Sequence, residues 1–98
     1  MIPAVAPPSE AELSSQLRRM AAAGVSVRDL VEHLRRVFPG PDVSFAVVLA
    51  FKRAFHLPLL EARRIEGSAL LGGTLYTPEQ TEALFRPLID RDRDSWDV

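Results

Sequence analysis

Two histidines are the residues best suited to acid–base chemistry in this chain of 98 residues. His33 follows Asp29 by four positions, so on a helix the imidazole and the carboxylate share a face and can touch. Such a pair can orient an imidazole for proton transfer. It is equally what a solvated helix surface carries, and no nucleophile or second ligand is specified beside it. His56 precedes Leu57-Pro58, where an element breaks, and reads as a cap or a half-buried residue with its hydrogen bonds met. A metal site needs three or four ligands at characteristic spacing, and the sequence offers none. Cysteine is absent, which removes thiolate ligands, thiol nucleophiles and disulfides. Gly72-Gly73-Thr74 lacks the Gly-Lys-Ser/Thr of a phosphate loop and reads as a turn. We therefore expect a non-enzymatic protein with no catalytic residue, cofactor, metal or small-molecule substrate.

The elements that would position any site are mostly helices. Residues 1–8, with Pro3, Pro7 and Pro8, read as a flexible lead-in. Ser9-Glu10-Ala11-Glu12 has capping-box spacing, and Leu13, Leu17, Met20 and Ala21 follow at helical period before Gly24. Ser26 starts a second helix, with Val25 and Leu30 placed as a hydrophobic staple. Its apolar face runs through Val27, Leu30, Val31, Leu34, Val37 and Phe38, and Pro39-Gly40-Pro41 ends it. From Asp42 to Phe55 the chain is apolar on nearly every side, which marks a central element. Helix is favoured by its length and by Ala46, Ala50 and Ala54, with a buried strand over 43–49 as the rival. Pro58 suits the first position of a short helix, Pro58–Glu66, closed by Gly67. Residues 69–76 bracket Gly72-Gly73 as a two-residue hairpin or a structured loop would. Thr77-Pro78-Glu79-Gln80 opens a final helix with inner face Ala83, Leu84, Leu88 and Ile89. Pro87 falls inside it and predicts a kink or break.

The expected fold is all-α: one domain over 9–89, a compact bundle of about five short helices, followed by a polar tail, 90–98. The composition agrees, with 47% hydrophobic and 26% charged residues, too apolar for a disordered chain. The longest apolar run, Phe45 to Phe51, is seven residues, whereas a membrane span takes about 20. The first nine residues hold no basic residue, unlike a secretory leader. No membrane partner and a cytoplasmic location are expected. Only Lys52 among the 12 basic residues is lysine, a bias of GC-rich coding rather than a mechanism.

A formal net charge of −1 hides an uneven distribution. Residues 18–64 hold nine basic and four acidic residues, a local +5, and residues 65–98 hold three basic and seven acidic, a local −4. Arg18-Arg19, Arg35-Arg36, Lys52-Arg53 and Arg63-Arg64 fall near predicted helix ends, where they suit the negative end of the dipole. They would also suit an acidic partner.

Two short stretches resemble known families. Met20 to Ser26 followed by Leu30 resembles the helix-turn-helix of bacterial repressors, with the turn Gly24-Val25-Ser26 over about twenty residues. It departs in having Met20 where a small residue is usual. Asp29 and Glu32 also stand on the helix that would meet phosphates. The resemblance implies nucleic-acid contacts from Ser26, Arg28, Arg35 and Arg36. Leu57 to Arg63 resembles a helix corner in the C-terminal domain of the bacterial ribosomal stalk protein. That family has glycines where this chain has His56 and Pro58, and no function is carried over.

The sequence thus points first to a helical module that binds another protein, or itself as a homodimer. An immunity or antitoxin-type protein, or a bacterial adaptor, has this size and lack of chemistry. The expected contacts are Arg35, Arg36, Tyr76, Asp90, Asp92, Asp94 and Trp96, because Trp, Tyr and Arg are the commonest anchors. The alternative is a nucleic-acid-binding regulator. If the tail only serves a partner, removing residues 90–98 leaves the melting temperature nearly unchanged.

Overall fold

The computed structural model describes residues 8–96, so residues 1–7 of the expected lead-in lie outside the described residues. Five α-helices are present among these: α1 (Glu10–Ala22), α2 (Val27–Val37), α3 (Val43–Phe55), α4 (Leu59–Ala62) and α5 (Pro78–Asp90). No strand is formed among them, and the fold is a small all-α bundle. The rival strand over 43–49 is helix, inside α3.

Cap chemistry explains three of the helix starts. Ser9 Oγ accepts from the Glu12 N–H at 3.2 Å, and Ser26 Oγ accepts from the Asp29 N–H at 3.2 Å. Only Thr77 and Gln80 complete the reciprocal box, with the Thr77 N–H donating to Gln80 Oε1 at 2.9 Å and the Gln80 N–H to Thr77 Oγ1 at 3.1 Å. Each such bond satisfies a donor that the helix itself leaves unpaired.

α3 is the post around which the others pack: it touches all four remaining helices. Val47, Val48, Phe51, Ala54 and Phe55 are fully buried. Phe51 meets Phe55 and Phe85 edge-on, at ring separations of 5.5 and 5.9 Å. α1 contributes Leu13, Leu17 and Ala21, α2 contributes Val27, Leu30, Val31 and Leu34, and α5 contributes Phe85 and Ile89.

Four stretches depart from the expected form or decide between its alternatives. Pro58 caps α4 from outside rather than opening it, with extended backbone at ψ 148°. The helix is one turn, continued as a 3₁₀ segment over Arg63–Gly67. Residues 69–76 form the structured loop and not the hairpin. A 3₁₀ turn at Ala69–Leu71 ends on left-handed Gly72, and Ala69 N–H donates to Tyr76 C=O at 2.8 Å beside a single parallel bridge, Ser68 to Tyr76. The loop is knotted down by a buried pair, Ser68 Oγ and Thr81 Oγ1, 2.6 Å apart. Gly73 runs against Gly67 so closely that a Cβ on it would sit 2.4 Å from the Gly67 carbonyl carbon. α5 is not broken at Pro87 but continues to Asp90. The lost bond falls in the last turn, and Ala83, whose carbonyl the proline displaces, is exposed and can turn to water.

The tail is the fourth. Asp90 closes α5, a 3₁₀ turn follows at Arg93–Ser95, and Trp96 is 7% exposed. Its ring lies 5.5 Å from that of Phe55. The indole closes the core over the C-terminal end of α3 because the turn at 93–95 folds the chain back onto it.

Two substitutions test this packing by thermal denaturation. Trp96→Ala should cost about 3–5 kcal/mol, lowering the melting temperature by about 12 °C or more at about 4–8 °C per kcal/mol; an unchanged value would place the indole outside the core. Gly73→Ala should also destabilise markedly, because the Cβ meets backbone rather than a flexible side chain.

Candidate interaction surface

The residues singled out from sequence do not form one site. Arg35 of α2 reaches the 67–76 loop that holds Tyr76: Arg35 Nη1 donates to the Leu70 carbonyl at 3.2 Å, and half-buried Tyr76 is held by its backbone to Ala69 and Gly67. Asp90, Asp92, Asp94 and Trp96 lie at and beyond the other end of α5, by the C-terminus of α3. There Asp92 Oδ2 stands 3.7 Å from His56 Nδ1, and Asp90 Oδ1 stands 3.9 Å from Arg93. Arg36 and Asp94 are exposed, and Trp96 is not.

Many of the arginines work inside the fold. Arg18 of α1 reaches the end of α3, donating from Nε to the Ala54 carbonyl at 2.6 Å and from Nη2 to the Arg53 carbonyl at 3.2 Å. Arg93 donates to the Ala22 carbonyl at the end of α1, 2.8 Å away. Each guanidinium thus meets carbonyls that a helix end leaves unsatisfied, but on a neighbouring helix rather than its own. His56, in left-handed conformation at φ 55°, closes α3 and accepts from Arg18 at 3.4 Å. It is a cap, as expected.

The turn between α1 and α2 is clamped from α5. Glu82 Oε1 accepts the Val27 N–H at 2.9 Å, Arg86 donates to the Val25 carbonyl at 2.6 Å, and the two side chains pair at 3.1 Å. A carboxylate therefore occupies the N-terminus of α2, and Glu79 and Glu82 flank Ser26 and Arg28. The end of α2 that would enter a DNA groove is acidic, where phosphates need positive charge.

His33 does not pair with Asp29. Its Nε2–H donates to Gln16 Oε1 of α1 at 3.1 Å. Burial, and then the Arg36 guanidinium, hold its pKa below the ordinary value. No group of three or more His, Cys, Asp or Glu among the described residues is placed to hold a metal ion.

The exposed apolar surface lies elsewhere. Phe45 of α3 is 60% exposed, Leu59 44% and Leu60 78%, both on α4. Phe45 and Leu59 wall a shallow groove of about 470 Å³ with Pro41, Asp42, Ser44, Arg63 and Glu66. Leu75 is also exposed, at 73%, and lies so close to Gly67 that a Cβ there would meet its Cδ1 at 2.9 Å. In the groove, α3 and α4 each present a large apolar group, as surfaces that bind other proteins do. Sequence reading missed Phe45 because the run around it looked buried on all sides. The available signal was Lys52, seven residues on and hence on the same helical face.

The lowered pKa of His33 fixes the sign of a pH effect. The unfolded chain takes up this proton at about pH 6.5, before the folded one does. The contribution of His33 is therefore complete above that pH and is lost as pH falls from there through the folded pKa. Urea midpoints measured from pH 7 to pH 5 should fall more steeply for the wild type than for His33→Gln; parallel curves would contradict this. No protein-family model, no curated protein and no solved structure matches the chain.

Proposed function

We propose that this chain is a non-enzymatic helical module of the cytoplasm that acts by binding another protein. The observation that carries this is the pair of exposed apolar side chains, Phe45 and Leu59, in one groove rimmed by Asp42, Arg63 and Glu66. A centre of exposed aromatic and aliphatic groups inside a charged rim is the anatomy of a protein-binding site. Of the residues first favoured, Arg35, Arg36, Asp92 and Asp94 keep side chains in solvent and remain candidate contacts, while Trp96 is buried against Phe55. The immunity, antitoxin and adaptor classes all fit a small bacterial binder of this kind. The acids around the start of α2 weigh against the nucleic-acid alternative.

The test is capture of host proteins on immobilised wild type, Phe45→Asp and Leu59→Asp, each first checked for unchanged helicity and melting temperature. Both side chains are exposed, so stability should stay within about 1 kcal/mol. A protein retained by the wild type and lost from both variants supports the reading. Equal capture by all three would move the site elsewhere. Salt-dependent binding of duplex DNA by the wild type, lost in Arg28→Ala, would favour the alternative.

A further inference from the structure

We infer that the seam between α1 and α3 is a binding pocket for a small neutral aromatic molecule, about the size of indole, that carries one N–H or O–H group. Leu13 and Ser14 of α1 line this pocket with Ala46, Leu49 and Ala50 of α3. Where two helices meet, interdigitating side chains normally fill the space between them. Ser14, Ala46 and Ala50 are too short to do so, and a pocket of about 220 Å³ is left, walled by Leu13, Leu49 and Phe38.

Small residues alone would mark no more than a helix contact. The second observation is Ser14 itself. Ser14, Ser68 and Thr81 are the buried polar residues among those described. Ser68 and Thr81 bond each other. Ser14 is only 8% exposed, and its hydroxyl forms no hydrogen bond among the described residues. A buried hydroxyl ordinarily has a partner, and Ser14 opens onto the pocket that it lines.

Size and charge select the occupant. An apolar cavity of about 150 Å³ holds benzene. The larger volume here therefore admits a ring system of about nine non-hydrogen atoms. Phe38 supplies an aromatic ring to the wall, which favours an aromatic guest. At the rim Arg53 pairs with Glu10 at 3.3 Å, so the opening presents no net charge to attract an ion. A charged guest would leave water for an apolar pocket with one hydroxyl to solvate it, at high cost. A neutral guest with a single donor meets the Ser14 hydroxyl as acceptor and leaves nothing unpaired.

The test titrates the whole protein with indole, and with indene, which has the same shape and no N–H, following backbone amide shifts by NMR. Indole should bind the wild type with a dissociation constant of about 1 mM or tighter. Ala46→Leu puts a larger side chain into the pocket and should weaken both ligands at least tenfold. Ser14→Ala should weaken indole about fivefold and leave indene unchanged, since only indole donates to the hydroxyl. Circular dichroism first establishes that each variant folds. Absence of saturable binding at about ten times that concentration overturns the site, as does equal affinity of the wild type and Ala46→Leu. If Ser14→Ala affects indole and indene alike, the hydrogen bond that selects the guest is overturned. The α3–α4 groove shares no residue with this pocket, so failure here leaves the protein-binding reading intact.

Discussion

The structure depends on burying α3. Phe51, Phe55 and their neighbours form a helix too apolar to face water, and the rest of the chain is arranged to cover it. α1, α2 and α5 lie along it, the α4 segment runs back over it, and Trp96 closes its C-terminal end. At about 25 cal/mol per Å² of apolar surface removed from water, this burial is the dominant favourable contribution available to a chain without disulfides. A domain of this size has limited surface with which to cover a core, and the cover here stops short. From Val47 onward the side chains of α3 are enclosed except for half-buried Leu49 and exposed Lys52 and Arg53, while Phe45 near its start is left in solvent beside Leu59. The candidate binding face is the uncovered end of the core helix.

Polar groups then fix how the cover fits. Hydrophobic burial has no direction, so it does not by itself set the register of one helix on another. Arg18 and Arg93 reach carbonyls at the ends of α3 and α1, and Glu82 with Arg86 holds the turn that opens α2. Each of these contacts joins segments distant in sequence. The Ser68–Thr81 pair does the same for the loop before α5. The Lys/Arg bias has a structural consequence: a planar guanidinium can serve two carbonyls from one side chain, as Arg18 does.

Local chemistry was legible in the sequence and long-range chemistry was not. Ser9, Ser26 and Thr77 announce their helices because a cap acts within three residues. The central position of α3 follows from its composition. By contrast, Arg18 looks like any cation near a helix end until α3 is placed beside it. Trp96 looks like a tail residue because the Phe55 ring it covers is 41 positions earlier. The acid at the N-terminus of α2 comes from α5, so the helix-turn-helix pattern in 20–30 carried no warning of it. The same limit hid the binding face, since which end of an apolar helix is left bare depends on how far its neighbours reach.

The most direct measurement of this account is ¹⁹F NMR of the protein with its five phenylalanines fluorinated, read with a soluble paramagnetic agent. Phe51, Phe55 and Phe85 should be shielded, and Phe45 should be strongly broadened. A Phe45 signal as shielded as those of Phe51 and Phe85 would contradict the bare start of α3.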